Sequence, residues 1–430
     1  MKKFAFFLLT LSAMGGALCA CQGQKDNTLT DEEIANGWEL LFNGTDMTGW
    51  RAFNGAVGDT NGWSVVNGCI QASGDGSDSR GYIVTDKQYA DFELSWDWKL
   101  THGGNSGMLY HVVENPCFDV PYVTGPEYQL IDNEGWEEVN APQKLEEWQK
   151  LGVDYAMHLP DYSKMNVNPQ GRWNTSRIVF DNGHVEHWLN GQKILEFEAW
   201  TNEWFKLKGS GKWAGAPEYG IARTGVICLQ DHGYPASFKN IKIRPLPHRA
   251  GNNEVLFNGK DLTGWELFGD AKCSVDEEGN LVTENGEAGT YGYLCTRKYY
   301  TDFHLTYEFK MEVDGNTGLF FHGFTDKDIN PHGGEVEMGP HGWNNGGLYS
   351  AVPNGVFTKV TEEQDALLKA GDWNSIRLHV QGNHIQTWLN GTLISDVENE
   401  AFGTAPGRIM LQVDSKPVRV RWRNFKLTEL

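Results

Sequence analysis

The sequence contains one series of short motifs twice, in the same order. Residues 41–50, LFNGTDMTGW, return as LFNGKDLTGW at 256–265, and residues 105–111, NSGMLYH, return as NTGLFFH at 316–322. Three further pairs follow, namely WNTSRI at 173–178 with WNSIRL at 373–378, HWLNG at 187–191 with TWLNG at 387–391, and FKNIKI at 238–243 with WRNFKL at 422–427. A shared order of this kind indicates a duplicated unit, so both halves of the chain are expected to share one fold.

Within each unit the sequence alternates short β-prone runs with tight-turn signals. Asn-Gly pairs recur through both halves, at 43–44, 54–55, 61–62, 67–68, 190–191, 258–259, 354–355 and 390–391 among others. Residues 178–189 predict a β-hairpin around Asn182-Gly183, and the second unit repeats the pattern around Gly382-Asn383. Helical periodicity is scarce: residues 144–151 predict a short surface helix, and Thr361 is a candidate N-cap for a second. Many short strands in each unit predict antiparallel β-sandwiches.

The length of 430 residues exceeds what one domain usually holds, so two domains are expected. Pro245 and Pro247 interrupt any regular element between the two copies. We therefore assign the first β-sandwich to residues 36–247, a linker to 248–252 and the second β-sandwich to 253–430.

The first residues predict export and lipid attachment. A basic start precedes an apolar run at residues 4–17 that is too short for a comfortable membrane span, and the LCAC box ending at Cys21 resembles a lipoprotein cleavage site. Residues 1–20 are therefore expected to be a signal peptide, with Cys21 lipidated in the mature chain and residues 21–35 as a tether. We expect a bacterial lipoprotein of the cell envelope, periplasmic or anchored in the outer membrane, that meets the membrane only through its N-terminal lipid.

The formal net charge of −21 narrows the classes of partner. It argues against nucleic acid and anionic lipid, which need cationic surfaces, and it fits neutral or cationic ligands or a bound divalent metal. The cysteines after Cys21 are odd in number and include no CxxC pair, so no disulfide framework is expected.

Residues 105–132 are the stretch most suggestive of a functional site. Two β-prone runs within it flank a loop with three prolines, which prevent regular ladder pairing. Side chains in a strand alternate between its faces, so Glu127 and Gln129 share one face of the second run. His111 lies near the end of the first run, and a base, an acid and an amide therefore collect where the connection leaves a sheet.

The motifs LFNGxDxTGW, NSGxxxH, GPEYQLID, WNTSRI with HWLNG, and a closing LQDHG with FKNIKIRPL together resemble the 3-keto-disaccharide hydrolase family, formerly a domain of unknown function. The resemblance covers both copies and nearly the whole mature chain. It implies an all-β fold class with two tandem concanavalin/lectin-like β-sandwich (jelly-roll) domains. It also implies action on sugars or glycosides oxidised at carbon 3.

A ketone at carbon 3 makes the proton on carbon 2 acidic, and its removal gives an enolate that can expel the substituent on carbon 1 before water adds. Such chemistry needs a base over carbon 2, an electrophile at the ketone oxygen and an acid near the leaving group. A divalent metal ion held by histidine and carboxylate would supply the electrophile. We therefore expect a hydrolase or lyase that cleaves 3-keto-glycosides or 3-keto-disaccharides, with a carbohydrate as its partner.

The first unit contains most of the candidate site residues. Candidate catalytic residues are Glu127, His111, His158 and His232. Candidate substrate-binding residues are Gln129, Asn105, Asp231, His187 and Trp213, with a core-facing position as the alternative for His187. Candidate metal ligands are His111, Glu127 and His232. Working side chains on a rigid sandwich usually lie at strand-to-loop transitions, so these residues are expected to converge, although each alone could be a satisfied polar group at a sheet end.

The second unit is a weaker match to the same motifs. Its candidate site residues are His322, Glu335, Glu337 and His341. It lacks counterparts of Asp231-His232 and of the aromatic-rich insert, residues 200–221. The first unit is therefore the better candidate for catalysis. The second is either a sugar-binding or scaffolding copy, or a second active site with altered ligands.

Two other functions stay open at this point. A non-catalytic carbohydrate-binding lipoprotein would have an open groove lined by aromatic side chains, with dispersed histidines. An ordinary glycosidase would need a second carboxylate opposite Glu127, for which Asp132 and Asp231 are available. The excess of histidines disfavours the glycosidase.

Overall fold

The computed structural model describes residues 25–60, 62–72, 74, 81–247, 255–326, 328–351, 354–402 and 405–430. The strands of the first half are β1 Glu39–Leu40, β2 Trp50–Ala52, β3 Ser64–Val66, β4 Cys69–Gln71, β5 Tyr82–Tyr89, β6 Phe92–Leu100, β7 Asn105–Val112, β8 Glu127–Ile131, β9 Asn174–Asp181, β10 His184–Leu189, β11 Gln192–Glu198, β12 Gly225–Asp231 and β13 Ala236–Pro245. Those of the second half are β14 Trp265–Gly269, β15 Ala271–Val275, β16 Leu281–Asn285, β17 Gly292–Thr296, β18 Phe303–Val313, β19 Thr317–Thr325, β20 Pro331–Met338, β21 Leu348–Ala351, β22 Asn354–Val356, β23 Asn374–Gln381, β24 His384–Leu389, β25 Thr392–Glu398, β26 Arg408–Val413 and β27 Arg419–Glu429. The α-helices are α1 Asp31–Ala35, α2 Asn133–Val139, α3 Asn202–Ser210 and α4 Glu362–Asp365.

The first domain packs two antiparallel sheets face to face. One has the strand order β11-β10-β9-β6-β13-β4-β3, with β1 joined to β13, and the other has the order β2-β5-β12-β7-β8. Strand β6 shows how the sequence fixes the inner face, because Phe92, Leu94 and Trp96 alternate along it and lie in the core between the sheets. Alternation of this kind is what two sheets that share one apolar layer require.

The second domain repeats this architecture with two seven-stranded sheets. Their strand orders are β14-β17-β26-β19-β20-β21-β22 and β15-β16-β27-β18-β23-β24-β25. Tyr307 and Phe309 of β18 and Trp422 of β27 lie in the core between them. The predicted fold class, two tandem all-β jelly-roll sandwiches, is confirmed.

The predicted hairpins are present in both domains. Strands β9 and β10 pair around Asn182-Gly183, and β23 pairs with β24 around Gly382-Asn383. Asn182 and Gly183 have φ values of 50° and 94°, the left-handed conformation that a tight two-residue hairpin turn needs.

The helices differ in part from expectation. Residues 144–151 form only a 3-10 turn at Glu147–Gln149, and Leu145 and Leu151 on either side of it are buried in the core. The predicted cap at Thr361 is confirmed: its side chain accepts a hydrogen bond from the Gln364 N–H at the start of α4. Helices α2 and α3 were not predicted.

The insert, residues 200–221, joins the two domains. Arg408 of the second domain is fully buried and donates from Nε to Glu218 at 2.9 Å and from Nη2 to the Pro217 carbonyl oxygen at 2.6 Å. Its Nη1 donates to Glu266 of the second domain at 3.0 Å. An apolar cluster across the same interface includes Trp204, Phe205, Trp213, Tyr219, Tyr299 and Phe324. The insert is therefore fixed from both sides.

The N-terminal predictions fall mostly outside the described residues. The signal peptide at 1–20, the lipidation site Cys21 and the linker at 248–252 all lie there. Within the part of the chain that the structure describes, no helix has the length and apolar character needed to cross a membrane.

The end of the expected tether binds the first sandwich. The Asn27 N–H donates to Asn240 Oδ1 at 2.6 Å, and Asn27 Nδ2 donates to the Gly68 carbonyl oxygen at 2.9 Å. Asp26 forms an ion pair with Lys239 at 2.7 Å. Residues 26–27 are thus attached to the domain surface, while the assignment of residues 21–35 as a tether stays a prediction.

Candidate functional site

A polar cavity of about 280 Å³ lies on the outer face of the five-stranded sheet of the first domain, opposite its core. Its lining consists of Tyr82, Asn105, Val120, Tyr122, Glu127, Gln129, Tyr155, Lys212, Trp213, Gln230, Asp231 and His232. We refer to it as the first pocket. It combines carboxylates, a cation, an imidazole, amides and aromatic rings in one enclosed place.

The strand register explains why these side chains meet. Gln129 of β8 pairs with Gly107 of β7, and Gly107 pairs with Gln230 of β12, which in turn pairs with Tyr82 of β5. Directly paired residues point to the same face of a sheet, so the row faces the pocket together. Tyr128, which alternates with Glu127 and Gln129, packs into the core, as the period of two predicts.

Glu127 is one of two buried carboxyls of the pocket, with 5% of its surface exposed against 3% for Asp231. Burial raises the pKa of Glu127 to about 8, the positive charge of Lys212 opposes that rise, and the negative charge of Asp154 adds to it. A Cβ at Gly107 would fall 2.2 Å from Glu127 Oε1. Glycine is therefore required at this position for the carboxyl to lie against the sheet. The pairing of Gly107 with Gln129 continues the register of β7 and β8 without a bulge.

Lys212 and Trp213 reach the pocket from the insert. Trp213 stacks on Tyr219 at 4.0 Å between ring centroids and donates from Nε1 to the Tyr155 carbonyl oxygen at 3.0 Å. The ammonium of Lys212 lies 4.3 Å from the ring centroid of Tyr155. Burial lowers the pKa of Lys212, and the charge of Glu127 opposes this shift. The two groups therefore stabilise each other in their charged forms.

Two amide side chains, Gln129 and Asn105, and the carboxylate of Asp231 also line the pocket. Gln129 Nε2 donates to the Gln149 carbonyl oxygen at 3.2 Å, which fixes the side chain. Asp231 Oδ1 accepts from the Gly233 N–H at 2.9 Å. Asn105 Oδ1 is buried with no hydrogen-bond partner among the described residues, so it is available to accept a hydrogen bond from a ligand hydroxyl.

Six of the sequence-predicted residues line this pocket together: Glu127, Gln129, Asn105, Asp231, His232 and Trp213. Their individual roles in catalysis or binding stay predictions. Sequence reasoning missed Lys212, Tyr82, Tyr122, Tyr155 and Gln230. The dipeptide Leu-Gln occurs at 229–230 in the first copy and again at 411–412 in the second, and this repetition was a usable signal for Gln230. For Lys212, adjacency to Trp213 in the insert was the only signal.

The structure corrects the proposed role of His111. Its Nε2 donates to the Ala90 carbonyl oxygen at 2.6 Å, and its ring packs on Phe180 at 4.4 Å between centroids. His111 has a φ of 50° and is 1% exposed. A Cβ at Gly225 would fall 2.4 Å from the His111 carbonyl carbon, so glycine there makes room for the turned backbone. The His111 side chain therefore stabilises an irregular part of β7 and does not line the pocket.

His158 and His187 also lie away from the pocket lining. His158 hydrogen-bonds through Nδ1 to Asp154 at 2.8 Å and stacks on Phe197 at 4.0 Å. His187 is fully buried, donates from Nδ1 to the Gly152 carbonyl oxygen at 3.1 Å, and has its pKa lowered to about 4 by burial. The core-facing alternative for His187 is the one observed, because β10 points that residue inward between two buried neighbours on its face.

The proposed metal ligands do not form a cluster. Among the described residues, His111, Glu127 and His232 do not bring three ligand atoms within 4.8 Å of one another, and the trio that does is His184, Glu186 and Glu196. His111 is excluded because its ring is turned to the Ala90 carbonyl on the core side of β7. The donor set predicted from sequence therefore does not fit a metal centre.

The second domain has a cavity of about 840 Å³ on the equivalent face of its own sheet. Its lining includes Tyr291, Tyr293, Asn316, Phe320, Asp328, Glu335, Glu337, Trp343, Tyr349 and Gln412. We refer to it as the second pocket. Glu335 pairs with Phe320 and Glu337 pairs with Gly318, so both carboxyls face it.

The two histidines predicted for the second site lie elsewhere. His322 Nε2 donates to the Thr301 carbonyl oxygen at 2.6 Å, the same structural contact that His111 makes in the first domain. His341 hydrogen-bonds through Nδ1 to Asp365 at 3.0 Å, at the end of α4 and outside the pocket lining. Glu335 and Glu337 alone remain as candidates from that set.

Comparisons with known proteins match both halves of the chain to one domain family. The family profile described as a 3-keto-alpha-glucoside-1,2-lyase-like domain matches residues 37–244 and 252–428. A curated 3-keto-disaccharide hydrolase of Bacteroides thetaiotaomicron is 28% identical over 295 residues, which cover 57% of this chain and 100% of that protein. Two crystal structures from Parabacteroides distasonis, provisionally described as glycosyl hydrolases, are also similar. One is 48% identical with a TM-score of 0.48, covering 52% of this chain and 100% of its own. The other is 24% identical with a TM-score of 0.37, covering 49% of this chain and 99% of its own.

Proposed function

Because the chain belongs to the family of 3-keto-alpha-glucoside-1,2-lyase-like domains, we propose that its first domain cleaves the glycosidic bond of a sugar derivative oxidised at carbon 3. The curated relative is named for a substrate of that class. The observation that carries the proposal is the buried carboxyl of Glu127, which shares one polar pocket with Lys212 and His232.

Glu127 is proposed as the base. As a carboxylate it takes the proton from carbon 2, and the C–H electron pair forms an enolate across carbons 2 and 3. A carboxylate whose pKa is raised to about 8 by burial is a stronger base than one in water, and it is still partly ionised at neutral pH. Gly107 lets this carboxyl lie against the sheet, where it faces the cavity.

Lys212 is proposed as the electrophile. Its ammonium interacts with the charge of Glu127 and lines the same cavity, so it is placed to stabilise negative charge on the ketone oxygen as the enolate forms. Asn105 Oδ1, which has no hydrogen-bond partner among the described residues, would accept from a sugar hydroxyl and orient the ring.

His232 is proposed as the acid for the leaving group. When the enolate collapses, the ketone reforms, a double bond forms between carbons 1 and 2, and the bond from carbon 1 to the glycosidic oxygen breaks. That oxygen takes a proton from His232. Addition of water to carbon 1, with return of a proton to carbon 2, then completes hydrolysis, whereas release before this step makes the reaction an elimination.

The test is aglycone release from 3-keto-glycosides compared with the same glycosides unoxidised. Turnover is expected for the keto substrates alone, with strong loss in Glu127→Gln and His232→Ala. Glu134→Gln, an exposed acid of α2, is the matched control and should keep full turnover. Retained sugar binding without turnover in the unchanged chain would instead support a carbohydrate-binding module. Turnover of the unoxidised glycosides would support an ordinary glycosidase.

Binding of a divalent metal ion remains a prediction, although the predicted ligands His111, Glu127 and His232 do not form a metal centre. The same assay, run with and without chelator, tests it. Loss of turnover in chelator that is reversed by adding back a divalent ion would support the ion. Unchanged turnover in chelator would support Lys212 as the group that stabilises negative charge on the ketone oxygen.

Anchoring in the cell envelope is likewise proposed from the sequence alone. Cys21 would carry the lipid after removal of residues 1–20. In a bacterial host the full chain should incorporate labelled fatty acid and sediment with membranes. Cys21→Ala should abolish labelling and release the protein into the soluble fraction. Labelling that persists in this variant would contradict the assignment.

A further inference from the structure

The second pocket has an acidic lining, to which the described residues contribute no basic group. Asp328, Glu335 and Glu337 line it, and no Lys, Arg or His occurs among the described lining residues. The first pocket contains Lys212 and His232 in addition to its two acids. The two cavities occupy the same face of equivalent sheets, so their difference in charge comes from a few side chains and not from the fold.

The most telling exchange is at the position of Gln129, which Glu337 occupies in the second domain. Glu335 corresponds to Glu127, so the second pocket places two carboxyls on one face of β20 where the first places one. Burial raises the pKa of Glu335 well above its usual range, and the charges of Glu337 and Asp414 add to this rise. Burial also raises the pKa of Glu337 to about 7. Among the described lining residues no positive charge opposes these shifts, as that of Lys212 does for Glu127 in the first pocket.

Three buried side-chain oxygen atoms without hydrogen-bond partners among the described residues belong to residues that line the second pocket. Glu335 is 2% exposed and Gln412 is 6% exposed, and both line the pocket. Glu335 Oε1 and Gln412 Oε1 have no hydrogen-bond partner among the described residues. Asn316 Oδ1 is also buried and also has no hydrogen-bond partner among the described residues. All three atoms accept hydrogen bonds, so their complement is a group that donates several.

Aromatic rings form the rim of the cavity. Trp343 is 42% exposed and Tyr291 is 46% exposed, unlike most aromatic side chains of this domain. Exposed rings of this kind stack on the apolar faces of sugar rings and attract cations. The cavity volume, about 840 Å³ against about 280 Å³ for the first pocket, leaves room for more than the first pocket admits.

We propose that the second pocket binds a sugar that carries a protonated amine, with the ammonium between Glu335 and Glu337 and the sugar ring against Trp343 and Tyr291. An ammonium group offers three hydrogen-bond donors and one positive charge, which matches both the unpartnered oxygens and the unbalanced carboxyls. The site is separate from the first pocket, so the proposal does not depend on the reaction assigned there.

The test is a calorimetric titration of the full chain with the disaccharide of glucosamine and with its N,N′-diacetyl form. The amine form is expected to bind and the acetylated form is not, because acetylation removes the charge. Glu337→Gln should weaken binding by about tenfold or more, since it removes one partner of a desolvated charge pair. This variant installs the residue that the first domain has at the same place, so it is expected to fold, and its thermal transition is the check.

Glu134→Gln, on the surface of the first domain, is the control and should bind as the unchanged chain does. Four results would overturn the proposal: equal binding of both sugars, binding of neither, unchanged binding in a folded Glu337→Gln variant, or displacement of the amine sugar by calcium ions at equimolar concentration. The last result would assign the carboxyls to a divalent cation.

Discussion

The two pockets share a framework and differ in the charges placed on it. Four residues of the first pocket or its floor recur at matching positions in the second, namely Tyr82 as Tyr293, Asn105 as Asn316, Gly107 as Gly318 and Gln230 as Gln412. Gly318, like Gly107, is required by the adjacent carboxyl, because a Cβ there would fall 1.8 Å from Glu335 Oε1. The fold therefore provides a place for a buried glutamate in each half, and the surrounding charges decide what that glutamate can do.

In the first pocket the positive charge of Lys212 opposes the negative charge of Glu127. Lys212 lies in the insert. The insert is fixed against the second domain through Glu218 and Arg408. A residue of the first site is thus held in position by a domain that has a different pocket of its own. The comparison predicts that the second domain contributes to activity in the first.

Arg408→Met should have the largest effect, because it leaves the buried Glu218 and the partly buried Glu266 without their shared partner. The expected loss of stability is about 3–5 kcal/mol, as for other broken buried ion pairs, together with reduced keto-glycoside turnover because the insert is no longer fixed. Chemical denaturation and turnover measure the two effects. Arg423→Met, which removes a partly exposed pair with Glu308, should cost about 1 kcal/mol or less. Equal losses in the two variants would contradict the bridging role of Arg408.

Gly107→Ala should act next, through the position of Glu127. The added Cβ would displace the carboxyl, and overpacking of this kind costs about 1–3 kcal/mol. Turnover is expected to fall more than stability, because the displaced group is the proposed base. Gly318→Ala should cost similar stability but less turnover, while Gly209→Ala, with open space at its Cβ, should cost neither. Turnover retained in a folded Gly107→Ala variant would remove Glu127 from the base role.

Much of the fold could be predicted from the sequence because its signals are local. Asn-Gly turns, alternating apolar residues and the duplicated motifs are each readable within about ten residues, and they led to the tandem sandwich. The same alternation placed Glu127 and Gln129 on one face, and both line the first pocket. Here the period of a strand fixes the direction of a side chain without tertiary information.

The site was harder to predict where direction depends on distant contacts. His111 lies close to Glu127 in the sequence motif, yet its φ of 50° turns the backbone so that the imidazole bonds to Ala90. The local pattern does not encode that turn. Lys212 is far from Glu127 along the chain and reaches it only because the insert folds back between the two domains. Neither arrangement follows from periodicity.

Gln129→Glu would give the first pocket the acid pair of the second. The added negative charge beside Glu127 should raise the pKa of that base further, so a smaller fraction of it is ionised at pH 7. Turnover at that pH is expected to fall, by about tenfold if the pKa of Glu127 rises by one. The loss should recover at higher pH, which separates it from misfolding. Gln143→Glu, an exposed change in the same domain, is the control. If the variant loses turnover at every pH alike, the effect is loss of the hydrogen bond to Gln149 and not charge.

The pH dependence of the first pocket provides the finest test of the comparison. Glu127 acts as a base only when ionised, so the rise of kcat/KM with pH should follow its ionisation, with an inflection near pH 8, where its pKa lies. Lys212 favours the ionised form, and Lys212→Met should therefore move the inflection to higher pH and lower turnover at neutral pH. Lys206→Met, an exposed lysine of α3, should leave the profile in place. An inflection that stays fixed or moves to lower pH in Lys212→Met would mean that Lys212 does not set the ionisation of Glu127. The difference between the two pockets would then have to come from the second carboxyl alone.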